Sequence, residues 1–172
     1  MEYELLIREA DPTDATDLVA FLNRVSLETD FTSLDKDGIL LTNSEMGIFL
    51  EKQATSDNQI TLLALLDGEI AGLVNITADQ RKRVCHIGDL FIVIAKKYWN
   101  QGLGSILLEE TIEWAQASGF IRRLQLTVQT RNQAAVHLYQ KHGFMIEGKQ
   151  ERGAYIEEGK FIDVYLMGRL ID

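Results

Sequence analysis

Apolar residues recur along this chain at two periods. Ala15, Leu18, Val19 and Leu22 fall on one face of a 3.6-residue helix that Asp11-Pro12-Thr13 starts and that runs to about Val25. Ile60 to Leu66 is instead an almost unbroken apolar run. With Glu69 to Thr77 it flanks Asp67-Gly68, a dipeptide that signals a hairpin. A strand is predicted over Tyr3–Glu9 and a long one over Val84–Ile94. From Ser26 to Leu41 the pattern fades, which predicts a loop with a helical turn. Asn43 or Ser44 is predicted to cap a second helix ending near Ala54. Further helices are predicted over Leu103–Ala117, with Gly119 as C-cap signal, and over Asn132–His142, closed by Gly143. Arg123–Gln129 lies between them as a strand, and Phe144–Gly153 and Lys160–Ile171 read as the last two. The stretch from Asp89 to Gln129 is therefore a strand–helix–strand crossover, right-handed with parallel strands. The hairpins around it are antiparallel, so the sheet is mixed and the class α+β.

One domain is expected over residues 1–172, since the chain has a single proline and lacks linker-like or repeated segments. Hydrophobic residues make up 46% and charged residues 25%, the balance of a water-soluble globular protein. No apolar run reaches the roughly 20 residues of a membrane span, so no membrane partner is expected. The acidic start Met1-Glu2-Tyr3-Glu4 is unlike a secretory signal, and Cys85 is the lone cysteine. Both favour the cytoplasm. A net charge of −9 argues against nucleic-acid partners and suits a cationic or zwitterionic ligand. Cys85, His86, His137 and His142 do not form a zinc pattern, and Cys85 and His86 would face opposite ways on a strand, so no metal is expected.

The candidate chemistry begins at Gln101-Gly102-Leu103-Gly104-Ser105, a glycine-containing turn that opens a helix. Amides there lack intrahelical partners and sit at the positive end of the helix dipole. Glycine lets a phosphate approach them. The alternative is that Gly102 and Gly104 serve packing. Leu107 stands where a dinucleotide fingerprint would want a third glycine, and no nucleotide-triphosphate loop is present. Asn132 is a good helix cap, and Tyr139 lies seven residues on, so the two project from nearly one face. They are either a cap and a core tyrosine or two polar groups aimed into one cleft.

These segments resemble the GCN5-related N-acetyltransferase (GNAT) superfamily. Its acetyl-CoA motif, [RQ]-x-x-G-x-[GA] after a strand, is matched by Gly102 and Gly104, with Trp99 departing from the usual Arg or Gln. Its next motif, N-x-x-A-x-x-L-Y-x-x-x-G-F, is matched by Asn132, Ala135, Leu138, Tyr139, Gly143 and Phe144. The tail, Glu147-Gly148 to Arg152 and then Gly159, Phe161, Asp163 and Met167, is similar to a bacterial subgroup that acetylates small amines or amino acids. Asp163 and Met167 share a strand face and serve the core or a substrate wall.

The resemblance implies a mostly antiparallel sheet of about seven strands, with a splayed central parallel pair and about four helices. It implies acetyl-CoA as cosubstrate, no metal, a small-molecule primary amine as acceptor and a possible homodimer. Val93 and Ile94 would meet the acetyl and pantetheine portions. Gln101, Gly102, Leu103, Gly104, Ser105 and Ile106 would hold the pyrophosphate, and Asn132 the pantetheine arm or a water. Tyr139 would face the sulfur as acid. Asp89, or else His86, is the candidate base, each with a surface or structural role as alternative. Thr127 stands where many protein-directed relatives carry glutamate. By position and charge, Glu28, Thr29, Asp30 and Phe31 would line the acceptor pocket. The other readings are a protein N-terminal or ribosomal-protein acetyltransferase, and a non-catalytic acetyl-CoA-binding regulatory domain.

Overall fold

A computed structural model describes residues 2–172. Seven strands form one sheet in the order β1-β2-β3-β4-β5-β7-β6. They are β1 (Leu5–Glu9), β2 (Ile60–Leu66), β3 (Glu69–Thr77), β4 (Ile87–Ile94), β5 (Arg123–Gln129), β6 (Met145–Glu157) and β7 (Lys160–Leu170). The helices are α1 (Ala15–Val25), α2 (Asn43–Ala54), α3 (Leu103–Ser118) and α4 (Gln133–Lys141). This is the mixed seven-stranded, four-helix architecture that the resemblance implied.

Burial explains the strand patterns. Helices α1 and α2 pack Leu18, Leu22, Met46 and Leu50 on one face of the sheet, where they meet Leu63, Leu65, Leu73 and Val93. Helices α3 and α4 pack Leu107, Leu108, Ile112 and Val136 on the other, against Leu62, Ala64, Leu124 and Leu126. Strand β2 is covered on both sides and so is apolar except at Thr61, whose buried hydroxyl hydrogen-bonds to Gln53 and Asn75. Strand β5 is covered on one side, and the opposite side carries Arg123, Gln125, Thr127 and Gln129 in alternation.

Strands β4 and β5 form the parallel pair, and the ladder between them has three rungs: Ile87↔Arg123, Gly88↔Leu124 and Asp89↔Gln125. Beyond Asp89 the strands part, while β4 remains paired with β3 as far as Ile94 and β5 with β7 as far as Gln129. The gap between them positions the site.

Four boundaries differ from the sequence reading. Thr42, not Asn43 or Ser44, caps α2: its hydroxyl accepts from the Glu45 amide at 3.1 Å and donates to the Glu45 carboxylate at 3.1 Å. Strand β1 begins at Leu5, because Glu4 is held by the tip of the β2–β3 hairpin, its amide donating to Asp67 Oδ1. Strand β4 begins at Ile87 rather than Val84. Residues 81–86 form turns in which the Val84 and Cys85 amides both donate to the Arg81 carbonyl. Cys85 and His86 therefore lie outside any strand, and the alternation argument does not apply to them. Strand β6 runs past Gly153 to Glu157 through three register shifts. At one of them Asp163 Oδ1 accepts from the amide of Arg152, whose φ is +53°. The subgroup-like Arg152 and Asp163 thus meet as a clasp within the β6–β7 hairpin.

Candidate active site

The backbone of β4 supplies the first component. His86 accepts from the amides of Arg122 and Arg123 on the β5 side, and the Ala95 amide donates to Ala71 on the β3 side. Backbone groups alternate in direction along a strand. Ile92 and Ile94 therefore present theirs to the gap, whereas those of Val93 turn into the ladder with β3. Of the two residues expected to offer backbone to a ligand, Ile94 turns its backbone toward the gap and Val93 turns toward β3; Ile92 faces the gap as well.

After Ile94 the chain turns through Lys96–Tyr98 and reaches α3 by way of Gly102. Gly102 has φ +83°, a left-handed conformation that side chains with a Cβ resist, and a Cβ there would meet no protein atom within 4 Å. Its role is conformational, on the open side of the turn. Gly104 differs: a Cβ would lie 2.9 Å from Leu138 Cδ2, so this glycine lets α3 and α4 approach. The packing reading thus describes Gly104, while Gly102 is set by its backbone and leaves the turn open.

The Ile106 amide donates to the Gly102 carbonyl at 3.2 Å and is satisfied within the helix. The first three amides, of Leu103, Gly104 and Ser105, precede that bond and have no carbonyl one turn back to bond. Gln101 is exposed, its side chain donating to the Lys97 carbonyl at 3.2 Å. Of the six residues expected around a pyrophosphate, Gly102 to Ser105 form the cradle, and Gln101 and Ile106 flank it.

A cleft of about 380 Å³ joins this cradle to the gap. Gly102, Leu103, Gly104 and Ser105 line it together with Ile92, Val93, Ile94, Asn132 and Tyr139. Asn132 caps α4, accepting from the Ala135 amide at 3.4 Å. Tyr139 is 7% exposed and its ring rests on Phe144. Burial pushes its phenol above the ordinary value of 10.0. No buried, unpartnered side-chain oxygen occurs among the described residues, and the Tyr139 side chain lines the cleft. The phenol is thus a protonated donor at the cleft wall at neutral pH.

The acidic residues assigned to an acceptor pocket both have partners within the protein. Glu28 accepts from the Lys96 amide at 3.0 Å, capping the turn after β4. Asp30 forms an ion pair with Arg131 at 2.6 Å, and its carbonyl accepts from Gln129 at 2.7 Å. Phe31 does reach the cleft, with Thr29 and Thr32. It stacks on Trp99 with ring centroids 6.4 Å apart, and Arg131 covers it at 4.9 Å. The Trp99 indole donates to the Ile94 carbonyl at 2.8 Å. This Arg131–Phe31–Trp99 stack was not foreseen. Its one sequence signal was Trp99 itself, the departure from the acetyl-CoA motif.

Asp89 does not share the cleft. It lines a second cavity, of about 330 Å³, with Gln125, Thr127 and Arg123. That cavity borders the same gap at its root, since Leu90 lines it and Ile92, about 7 Å further along β4, lines the cleft. His86 lines neither cavity. Among the described residues, no three His, Cys, Asp or Glu side chains come together as a metal site.

Comparison with known proteins bears on the family and the fold. The family model described as acetyltransferase (GNAT) family matches residues 26–144. A crystal structure of an acetyltransferase of the GNAT family from Streptococcus pneumoniae is 83% identical, with a TM-score of 0.96 over 98% of this chain and 100% of that one. The L-amino acid N-acetyltransferase AaaT of Escherichia coli (strain K12) is 35% identical over 109 residues, 63% of this chain and 67% of its own length. A phosphinothricin acetyltransferase from Sinorhizobium meliloti in complex with AcCoA shares the fold, with a TM-score of 0.82 at 19% identity over 99% of this chain and 89% of that one.

Proposed function

The chain belongs to the GNAT family of acetyltransferases, and on that premise we propose that it transfers the acetyl group of acetyl-CoA to the primary amine of a small molecule. An amino acid, a polyamine or an amino antimetabolite would serve as acceptor. The observation that carries the reading is that three unpaired helix-start amides, an open strand edge and a buried protonated phenol line one cleft. The name of the 35% identical relative supports an amino acid as acceptor.

In this reading the Leu103, Gly104 and Ser105 amides bind the pyrophosphate of the cosubstrate. The exposed backbone of Ile92 and the Ile94 amide pair with its pantetheine arm, while Trp99 holds the Ile94 carbonyl. The thioester supplies the acetyl group; a C–N bond forms to the amine, the C–S bond breaks, and the departing sulfur carries the electron pair. Tyr139 donates a hydrogen bond to that sulfur. A thiol's usual pKa is about 8.5, below the raised value of the phenol. Tyr139 therefore stabilises the thiolate more than it surrenders a proton. The amine must be neutral to attack, and Asp89 is the base that takes its proton from the side of the second cavity. Asn132 keeps α4 and Tyr139 in register with the cleft. Two copies would pair through the β6–β7 hairpin.

The test is CoA-thiol release from acetyl-CoA across amino acids, polyamines, aminoglycosides and short peptides, with Tyr139→Phe alongside. Turnover of one small amine, with kcat lowered about 100-fold in Tyr139→Phe and an unchanged KM for acetyl-CoA, is expected. Turnover of peptides alone would move the reading to protein modification. Acetyl-CoA binding without turnover of any amine would move it to a regulatory domain.

A further inference from the structure

Glu147 matches the subgroup-like tail, yet it lies on β6, with β7 and β5 between it and the gap. Its carboxylate receives both terminal nitrogens of Arg123, one of them at 3.0 Å. To reach it from β5, Arg123 must pass over β7, and it does so at Gly168. That residue pairs with Gln125 on one side and Met145 on the other. A Cβ at Gly168 would lie 2.5 Å from Glu147 Oε1 and 2.7 Å from an Arg123 nitrogen. The missing side chain at 168 is what makes room for the ion pair.

Arg123 also donates through Nε to Gln125 Oε1 at 3.0 Å, and Gln125 Nε2 donates to Asp89 Oδ1 at 2.7 Å. An amide oxygen and nitrogen could in principle exchange places, but a guanidinium has only donors. Gln125 must therefore turn its oxygen to Arg123 and its NH2 to Asp89. Glu147 in turn holds both terminal nitrogens of an Arg123 that already feels the Asp89 charge. Without Glu147, Asp89 is the carboxylate left for that guanidinium.

We infer that Glu147, Arg123 and Gln125 form a brace across β6, β7, β5 and β4 that fixes the Asp89 carboxylate, with Oδ1 held and Oδ2 left for the incoming amine. They are positioning residues. The inference rests on the reading of Asp89 as base and deepens it.

The test is a set of variants, Gln125→Leu and Glu147→Gln, each made in the native and the Asp89→Asn backgrounds and assayed with L-amino acids as acceptor probe. In the native background each is expected to lower kcat about 10-fold, with the KM for acetyl-CoA within about twofold. In the Asp89→Asn background each is expected to cause no further loss. Equal losses in both backgrounds, or none in either, would overturn the brace while leaving Asp89 as base. An Asp89→Asn enzyme at full rate would remove both readings. A measurement independent of turnover is the side-chain amide resonance of Gln125 in 15N-labelled protein. It is expected to move in Glu147→Gln, although Glu147 makes no hydrogen bond to Gln125. A resonance that stays in place overturns the brace.

Discussion

Trp99 binds the site to itself where the motif calls for a polar side chain. Its indole occupies the Ile94 carbonyl, and its ring carries Phe31 and, above that, Arg131. One aromatic residue thus ties the end of β4 to the loop before α2 and to the segment that starts α4. Gly102 has a different kind of necessity, set by its backbone rather than by contacts. A Cβ at φ +83° is resisted by about 1–2 kcal/mol. Gly102→Val is therefore expected to destabilise the fold by about that amount, as read by urea denaturation. It should also weaken acetyl-CoA binding about 10-fold in calorimetry, because the three amides lose their alignment. Unchanged affinity would show that the cradle tolerates a different turn. Both glycines were visible in the sequence; that one serves the backbone and the other the α3–α4 contact was not, because the second role depends on where Leu138 lies.

At the scale of the element, the start of α1 shows how a cap couples to charge. Asp14 is 8% exposed, and it receives two hydrogen bonds from Arg8, each 2.8 Å, and one from the Asp11 amide at 2.9 Å. The Arg8 guanidinium holds its carboxyl below the ordinary value of 3.8. The folded state thus binds protons less readily there than the unfolded chain does. The stabilisation is complete above the ordinary carboxylate range and is lost as pH falls through the lowered value. Asp14→Asn is expected to cost about 1–3 kcal/mol at pH 7, discounted toward the lower figure because Arg8 is partly exposed. The difference from the native chain should shrink as pH falls through the lowered value of Asp14 in the same urea titration. A penalty that is constant with pH would assign it to packing. The sequence marked Asp11-Pro12-Thr13 as a helix start, but the ion pair joins it to β1, and no local pattern encodes that.

At the scale of the molecule, β6 is an edge strand that runs to Glu157, and the hairpin it forms with β7 exposes Met145, Tyr155, Phe161 and Leu170. An edge with apolar side chains invites another strand. The proposed pairing of two copies predicts a sedimenting mass about twice the 19.5 kDa of the chain. Phe161→Glu should halve that mass, whereas a native chain sedimenting as a monomer would end the proposal. By itself the sequence determined the class of the fold and the two helix-opening motifs, because these depend on periodicity, capping chemistry and glycine spacing within short stretches, whereas the part given to Tyr139 came from the family resemblance those motifs carry. Element order followed from the same signals. Only the tertiary structure decided which groups are free to act. It turned Val93 into the ladder and Ile92 out of it, paired Asp30 with Arg131, used Glu28 as a cap, and set Asp89 in a cavity separate from Tyr139. The reason is physical: whether a carboxylate or a backbone amide is available depends on partners far away in sequence, and those meet only once the sheet is assembled.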